Sequence, residues 1–277
     1  MDSEKIKKSV REHYAGVARN EGGCCASPAV AATNCCGVAD VGAVGKIIGY
    51  SDEEMAAVPE GANLGLGCGN PLAFAELKEG DVVVDLGSGA GFDCFIAAQR
   101  VGQTGRVIGV DMTPDMIERA RGNARKSKAS NVEFRLGEIE HLPVADASAD
   151  MIISNCVINL STDKPQVFRE ALRVLKAGGR LMVSDLVLNN SLPESILQSV
   201  EAYAGCISGA MLKEDYLQAM RDAGFSSVEI LAESGYPIGT INPDTSELAA
   251  LAEGLPPQDV KAAAEAVVSV KVRATKA

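Results

Sequence analysis

Val82-Val83-Val84-Asp85-Leu86-Gly87-Ser88-Gly89-Ala90-Gly91 decides the fold of this chain. Its apolar head is short and rich in β-branched residues, the pattern of a strand buried on both faces of a parallel sheet. The glycines turn the chain tightly and let its backbone approach a ligand. About 20 residues after Gly91, Asp111 closes the next apolar run, Val107-Ile108-Gly109-Val110. A carboxylate at that strand end can accept hydrogen bonds from ribose hydroxyls. Strand, glycine turn, helix and acidic strand end describe a nucleotide-holding first βα unit.

The glycine spacing narrows the ligand. It is G-x-G-x-G, not the G-x-G-x-x-G of dinucleotide binders. Asp85, just before the first glycine, would repel a phosphate but can hold an ammonium group. A ligand with a ribose and an amino acid, and without phosphate, is S-adenosylmethionine.

Outward from this unit the alternation is regular. Strands are predicted over 82–86, 106–111, 132–136, 149–155 and 180–186. Helices are predicted over about 91–101, from Pro114 with Thr113 as N-cap, and through Val167, Phe168, Ala171, Leu172 and Leu175 to an end at Gly178-Gly179. Such alternation implies a doubly wound, mostly parallel, Rossmann-like α/β sheet. Residues 1–20 read as a polar helix with Ile6, Val10, His13 and Val17 on one face. Residues 21–49 read as a Gly/Ala/Cys-rich loop with short helical pieces, and Ser51 with Glu54 as a capping box. A second glycine loop at 65–71 follows no strand and is not read as a nucleotide turn. Residues 190–222 read as a mainly helical lid, 228–232 and 267–275 as closing strands, and the proline-bearing stretch between those strands as loose. The expected division is an N-terminal cysteine-rich extension (1–70), a cofactor-binding domain (71–188) and a helical lid with C-terminal strands (189–277).

The chain has 277 residues, 47% of them hydrophobic, enough for a substantial core. No apolar run approaches the ~20 residues of a membrane span. The charged start, Met1-Asp2-Ser3-Glu4-Lys5, has no apolar stretch behind it, which points to the cytoplasm. A net charge of −11 disfavours nucleic acid as a partner and favours a small-molecule substrate. A monomer is the default expectation. Eight cysteines are many for a chain read as cytoplasmic, where thiols serve metal binding or catalysis rather than disulfides. With two histidines, soft-ion chemistry here must use thiolates.

In open parallel sheets the ligand lies outside the carboxyl ends of the strands, where strand order reverses. Cys156, after Ser154-Asn155 at the fourth strand end, falls there. Cys68 lies between Gly67 and Gly69, flanks that would leave its thiol accessible. Cys206 lies in the predicted lid. None has the C-x₂-C spacing of a zinc site.

Residues 62–71 (Ala-Asn-Leu-Gly-Leu-Gly-Cys-Gly-Asn-Pro), 154–160 (Ser-Asn-Cys-Val-Ile-Asn-Leu) and 205–210 (Gly-Cys-Ile-Ser-Gly-Ala) resemble signatures of the arsenite methyltransferases. So does Asp85-Leu86-Gly87-Ser88-Gly89-Ala90-Gly91-Phe92-Asp93-Cys94, and the resemblance covers roughly residues 50–235 in order. It implies that Cys68, Cys156 and Cys206 bind As(III) as thiolates, with the arsenic lone pair left free to attack the methyl group of S-adenosylmethionine. It implies a cofactor cradle of Asp85, Gly87, Gly89 and Gly91, with Asp111 on the ribose, Met112 against adenine, Glu138 and Ile139 at the adenine edge, and Asn155 lining the pocket. Cys94 is expected to pack. Methylation formally oxidises arsenic, so a thiol reductant such as glutathione or thioredoxin is implied as co-substrate. Cys35 and Cys36, with Cys24 and Cys25, are the redox or loading candidates. Arsenite and methylated As(III) species are the implied substrates. Two other readings stay open: a methyltransferase of a quinone or other small metabolite, and a thiol-based metalloid binder without turnover.

Overall fold

The computed structural model describes residues 3–19, 41–235 and 256–277. Cys24, Cys25, Cys35 and Cys36, with most of the segment read as a loop before residue 49, lie outside the described residues, as does 236–255. Three helices precede the sheet: α1 (Ser3–Arg19), α2 (Val41–Ile47) and α3 (Asp52–Ala56). The Ser51–Glu54 capping box is present in both directions. Helix α1 buries Val10, Ala15 and Ala18, whereas His13 is exposed; the packed stripe is turned from the expected one.

Seven strands form one sheet in the order β3-β2-β1-β4-β5-β7-β6. β1 (Val82–Leu86) lies between β2 (Arg106–Asp111) and β4 (Ala149–Asn155), parallel to both. β3 (Val132–Leu136) extends the β2 side and β5 (Leu175–Leu188) the β4 side, also in parallel. β7 (Val267–Thr275) runs antiparallel to β5 and to β6 (Ser227–Gly235), which forms the edge. α4 (Phe92–Val101) and α5 (Pro114–Ser127) cover one face, with Phe95, Ile96, Ile117 and Ala120 packed on Val83, Met151 and Ile153. α6 (Lys164–Val174) and α9 (Lys213–Ala223) cover the other, with Phe168 and Tyr216 packed on Ile152 and Val183. Burial on both faces is why the central strands read as continuous apolar runs.

The structure corrects three element readings. α6 ends at Val174, and Gly178-Gly179 do not cap it. They continue β5, where Gly178 N–H donates to Lys276 O at 3.0 Å and Lys276 N–H to Gly179 O at 2.9 Å. The C-terminal tail thus takes the backbone groups that a helix end would have used. Thr113 does stand at the N-cap of α5, but its side chain makes no capping bond; its N–H instead donates to Asp111 Oδ1 at 2.8 Å. Within the stretch read as loose, α10 (Pro257–Ala266) is a helix started by a proline whose fixed φ suits the first turn.

α7 (Glu194–Leu197), α8 (Val200–Ala204) and α10 join α1 over the carboxyl edge of the sheet. Val10, Leu192, Ile196, Tyr203, Ile207 and Ala263 form a satellite core there around Cys68 and Cys206.

Candidate active site

Register brings the pieces together. Leu86 pairs with Val110 on one side and Ser154 on the other, so the chain leaving β1, β2 and β4 opens into one cleft. That cleft holds about 1270 Å³ of empty space open to solvent at its mouth, and Asp85, Gly87, Gly89, Asp111, Met112, Ile139, Asn155, Cys156 and Cys206 line it. Gly87 and Gly89 have φ of +65° and +52°, a region L side chains rarely enter. Gly91 does not line the cleft. A Cβ there would meet Phe134 at 2.6 Å and Phe95 at 2.8 Å, so its smallness serves the packing of α4 on the sheet.

Three carboxylates face this cleft with little to balance them. Burial and then the nearby Asp93 push Asp85 well above the usual carboxylate range. Burial raises Asp93 to about 6, against the hydrogen bond it accepts from Tyr50 at 2.6 Å. Burial also raises Asp111, against the N–H groups of Thr113 and Gly89. Among the described lining residues the one cation is Lys7, already 2.6 Å from Glu138 and 3.6 Å from Glu140. The buried Ser88 hydroxyl, also in the lining, has no hydrogen-bond partner among the described residues. Buried like charges of this kind are relieved by a positive ligand. The donor set therefore fits S-adenosylmethionine, which is cationic, free of phosphate and carries ribose hydroxyls. Cys94 is fully buried and gives its thiol hydrogen to Asp85 Oδ2 at 3.2 Å, which orients that carboxylate.

The structure does not bring Glu138 to the cleft. Its carboxylate is turned to Lys7 and, at 3.7 Å, to Arg11 of α1. Glu140 takes a place in the lining instead, held by Ser161 Oγ at 2.7 Å. The two glutamates flank Ile139, and the sequence alone does not say which of them α1 will claim.

Two of the predicted thiols, Cys68 and Cys156, come together at the inner end of the cleft, and Cys206 lies beside Cys156. Cys156 N–H donates to Ser184 O at 2.8 Å, and the Cys206 thiol lies 2.8 Å from Cys156 O. The neighbouring Cys206 and Cys68 thiols, together with burial, hold the Cys156 thiol well above its ordinary pKa. Cys156 thus stands between the other two. Both Cys156 (φ +58°) and Cys206 (φ +63°) occupy left-handed backbone, a strained choice for residues with a Cβ. Cys68 is 4% exposed, contrary to the expectation of an accessible thiol. Its flanking glycines exist for close approach: a Cβ on Gly67 would meet the Asn155 amide at 2.8 Å, and one on Gly69 would collide with Ser184 Oγ.

Asp185, which the sequence reading did not select, joins Cys68 and Cys156 there. A carboxylate oxygen of Asp185 and the sulfurs of Cys68 and Cys156 all lie within 4.8 Å of one another. Asp185 is fully buried and pushed up to about 7 by burial, although it accepts from Leu186 N–H, Asn159 Nδ2 and Tyr216 OH at 2.9, 2.9 and 3.0 Å. Lys164, nine-tenths buried, donates to Ser161 O at 2.9 Å, and burial lowers its pKa. Cys206 is not within the set of Cys68, Cys156 and Asp185, its thiol being turned to the Cys156 carbonyl; two close thiols with a third beside them suit a soft ion, since thiolates prefer soft, polarisable partners. The cluster is contiguous with the cationic-ligand cleft through Cys156 and Cys206.

Comparison with known proteins agrees with this geometry. The sequence model of a family described as "Methyltransferase domain" matches residues 77–224. The chain is 48% identical over 83% of its length to the arsenite methyltransferase of Halobacterium salinarum, and 35% identical over 81% to that of Mus musculus; in each case it spans 59% of the relative's length. The crystal structure of an arsenic (III) S-adenosylmethionine methyltransferase from Chlamydomonas reinhardtii superposes with a TM-score of 0.61 at 33% identity, covering 84% of this chain and 72% of that one. The family match across more than half the chain and this structural relative, read with the thiol cluster beside a cofactor cleft, place the protein in the methyltransferase-domain family and, within it, among the arsenic(III) S-adenosylmethionine methyltransferases.

Proposed function

We propose that the chain methylates trivalent arsenic, arsenite first and methylarsenite after it. The observation that carries this reading is the position of Cys156: its sulfur lies within 4.8 Å of that of Cys68, its carbonyl oxygen takes the Cys206 thiol at 2.8 Å, and it lines a cleft that also contains Gly87, Gly89 and Asp111. Bound S-adenosylmethionine supplies a methyl group on a sulfonium sulfur, an electrophile for the arsenic lone pair. Asp85 and Asp93 would hold its cationic end, Asp111 its ribose, and Met112 and Ile139 the faces of its base. Cys68, Cys156 and Cys206 would hold arsenic as thiolates and leave its lone pair free. The protein's contribution is then mainly proximity and alignment, worth on the order of 7–11 kcal/mol for well-oriented partners. No general base acts in the transfer, because arsenic carries no proton to remove. Loading exchanges each arsenite hydroxyl for a thiolate, the thiol proton leaving with that hydroxyl as water, and the Asp185 carboxylate beside Cys68 and Cys156 is placed to relay such a proton.

A thiol reductant such as glutathione or thioredoxin would restore the trivalent state between rounds, with Cys35, Cys36, Cys24 and Cys25 as the relay in the chain itself. Reduced thiols at the site suit a cytoplasmic protein, and we take it to act as a monomer. Among the described residues no helix is long and apolar enough to cross a membrane.

The test is arsenic speciation by chromatography after incubation with arsenite, S-adenosylmethionine and a thiol reductant. Methylated arsenic is expected from the wild type and not from Cys156→Ser. No methylated product from either, with the cofactor still bound, would overturn the reading.

A further inference from the structure

Building on the proposed thiol site, we infer that Asn155 is a positioning residue that sets the distance between Cys68 and Cys156, and that Tyr50 and Asp93 lock Asn155 for that task. Asn155 is the residue immediately before Cys156 at the end of β4, so it moves with one of the two thiols. Its side chain grips the other. Asn155 Oδ1 accepts the Cys68 N–H at 3.1 Å, and Nδ2 donates to Gly69 O at 2.8 Å. The amide therefore brackets Cys68 on both sides along the chain. Only one orientation serves, because a carboxamide oxygen cannot donate and its nitrogen cannot accept.

That orientation is enforced from behind. Nδ2 also donates to Tyr50 OH at 3.0 Å and lies 3.2 Å from Asp93 Oδ2, while the Tyr50 hydroxyl spends its own hydrogen on Asp93 Oδ1 at 2.6 Å. Tyr50 is buried and does not line the cleft. Ser269 of β7 secures the far side of the loop, donating to Cys68 O at 3.0 Å. Cys68 thus has both backbone polar groups held by side chains of the sheet, which leaves its thiol little freedom. Glycine at 67 and 69 is what permits this grip, since a Cβ at either position would strike Asn155 or Ser184. An aspartate in place of Asn155 could not donate to Gly69 O and would add a charge beside Asp93 and Asp85.

A double-mutant cycle on arsenite affinity tests this. Asn155→Ala leaves the Cys68 N–H without its acceptor and should weaken arsenite binding by about tenfold or more. In a Cys68→Ser background the same change should alter affinity by less than about twofold, because the thiol it positions is gone. Tyr50→Phe, which touches neither thiol nor cleft, should give a smaller loss of the same kind, with the same cancellation; it serves if Asn155→Ala does not fold. X-ray absorption of the arsenite complex supplies a second readout: three sulfur neighbours in the wild type and fewer in Asn155→Ala. Losses that persist undiminished in the Cys68→Ser background, or an unchanged sulfur shell, would overturn the inference. If instead wild-type affinity did not depend on Cys156, the proposed thiol site itself would fall, and the inference with it.

Discussion

Asp185→Asn should make the unliganded protein more stable, increasingly so as pH rises. The carboxyl is fully buried, and burial lifts it from 3.8 to about 7. The sign follows from proton binding. Between these two values the folded state holds the proton and the unfolded state does not, so the stabilising contribution is complete below 3.8 and lost as pH rises through about 7. A shift of about three units is worth on the order of 4 kcal/mol above pH 8, and roughly 1–2 kcal/mol at pH 5. Asparagine stays neutral throughout. Its oxygen can still accept from Leu186 and Asn159, and the Tyr216 hydroxyl can turn to accept from the new amide. The variant should therefore gain a few kcal/mol over the wild type at pH 8.5 and much less at pH 5, a rise in Tm on the order of 5–10 °C at the higher pH. Urea denaturation of both proteins at pH 5 and 8.5 reads this directly. A variant less stable at pH 8.5, or a gain that did not grow with pH, would refute the account of Asp185 as a buried charge without adequate compensation. The same variant should capture arsenite more slowly, since it removes the carboxylate beside Cys68 and Cys156.

Two further expectations concern the cofactor cleft. Affinity for S-adenosylmethionine should fall as pH drops through about 6, because protonating Asp93 removes a negative charge that faces a cationic ligand; calorimetric titration from pH 5 to 8 giving a flat profile would contradict this. Gly91→Ala and Gly89→Ala should separate stability from binding. At Gly91 the left-handed backbone and the collision with Phe134 and Phe95 should cost roughly 2–4 kcal/mol of stability. At Gly89 the nearest atom to a Cβ is Met116 Sδ at 4.0 Å, so the fold should lose only about 1 kcal/mol while cofactor affinity suffers, and equal losses of stability at both would contradict the division.

The fold was legible because its strands obey a simple rule. Val82–Leu86, Arg106–Asp111 and Ala149–Asn155 carry short apolar runs ended by turn or acidic residues with both faces covered, while Val132–Leu136 alternates apolar and charged residues. The helix end at Gly178-Gly179 was misread because glycine signals a helix stop only when nothing else takes the backbone groups; here the C-terminal tail takes them. Glycines around Cys68 suggested accessibility, and the structure shows them admitting Asn155 and Ser184 instead. That distinction depends on what approaches from elsewhere in the chain, which local sequence does not carry. Asp185 did leave a trace: it stands inside Leu181-Met182-Val183-Ser184-Asp185-Leu186-Val187-Leu188, where a charge amid buried strand residues needs a reason. Glu138 and Glu140 left none, because α1 decides between them from more than a hundred residues away.

The unfavourable features of this molecule gather at one place. Cys156 and Cys206 sit in strained backbone, Asp185 is buried at a cost, and Ser184 Oγ and Asn159 Oδ1 are buried without hydrogen-bond partners among the described residues. Each would be removed by substitutions that the fold should tolerate, such as glycine at the left-handed positions or asparagine at 185. Strain of this kind persists only when surrounding structure over-determines it, and at functional sites it is part of the device. Left-handed turns set the Cys156 and Cys206 backbone, and Asn155 and Ser269 fix the backbone of Cys68. An ion that bonds three sulfurs would relieve the mutual protonation of the thiols and reward the geometry at once. The free protein therefore carries its cost before the ligand arrives, and arsenite should stabilise it by more than a single-thiol contact would. Thermal melting with and without arsenite decides this: a shift in the wild type that is preserved in Cys206→Ser would mean that Cys206 takes no part in holding the ion.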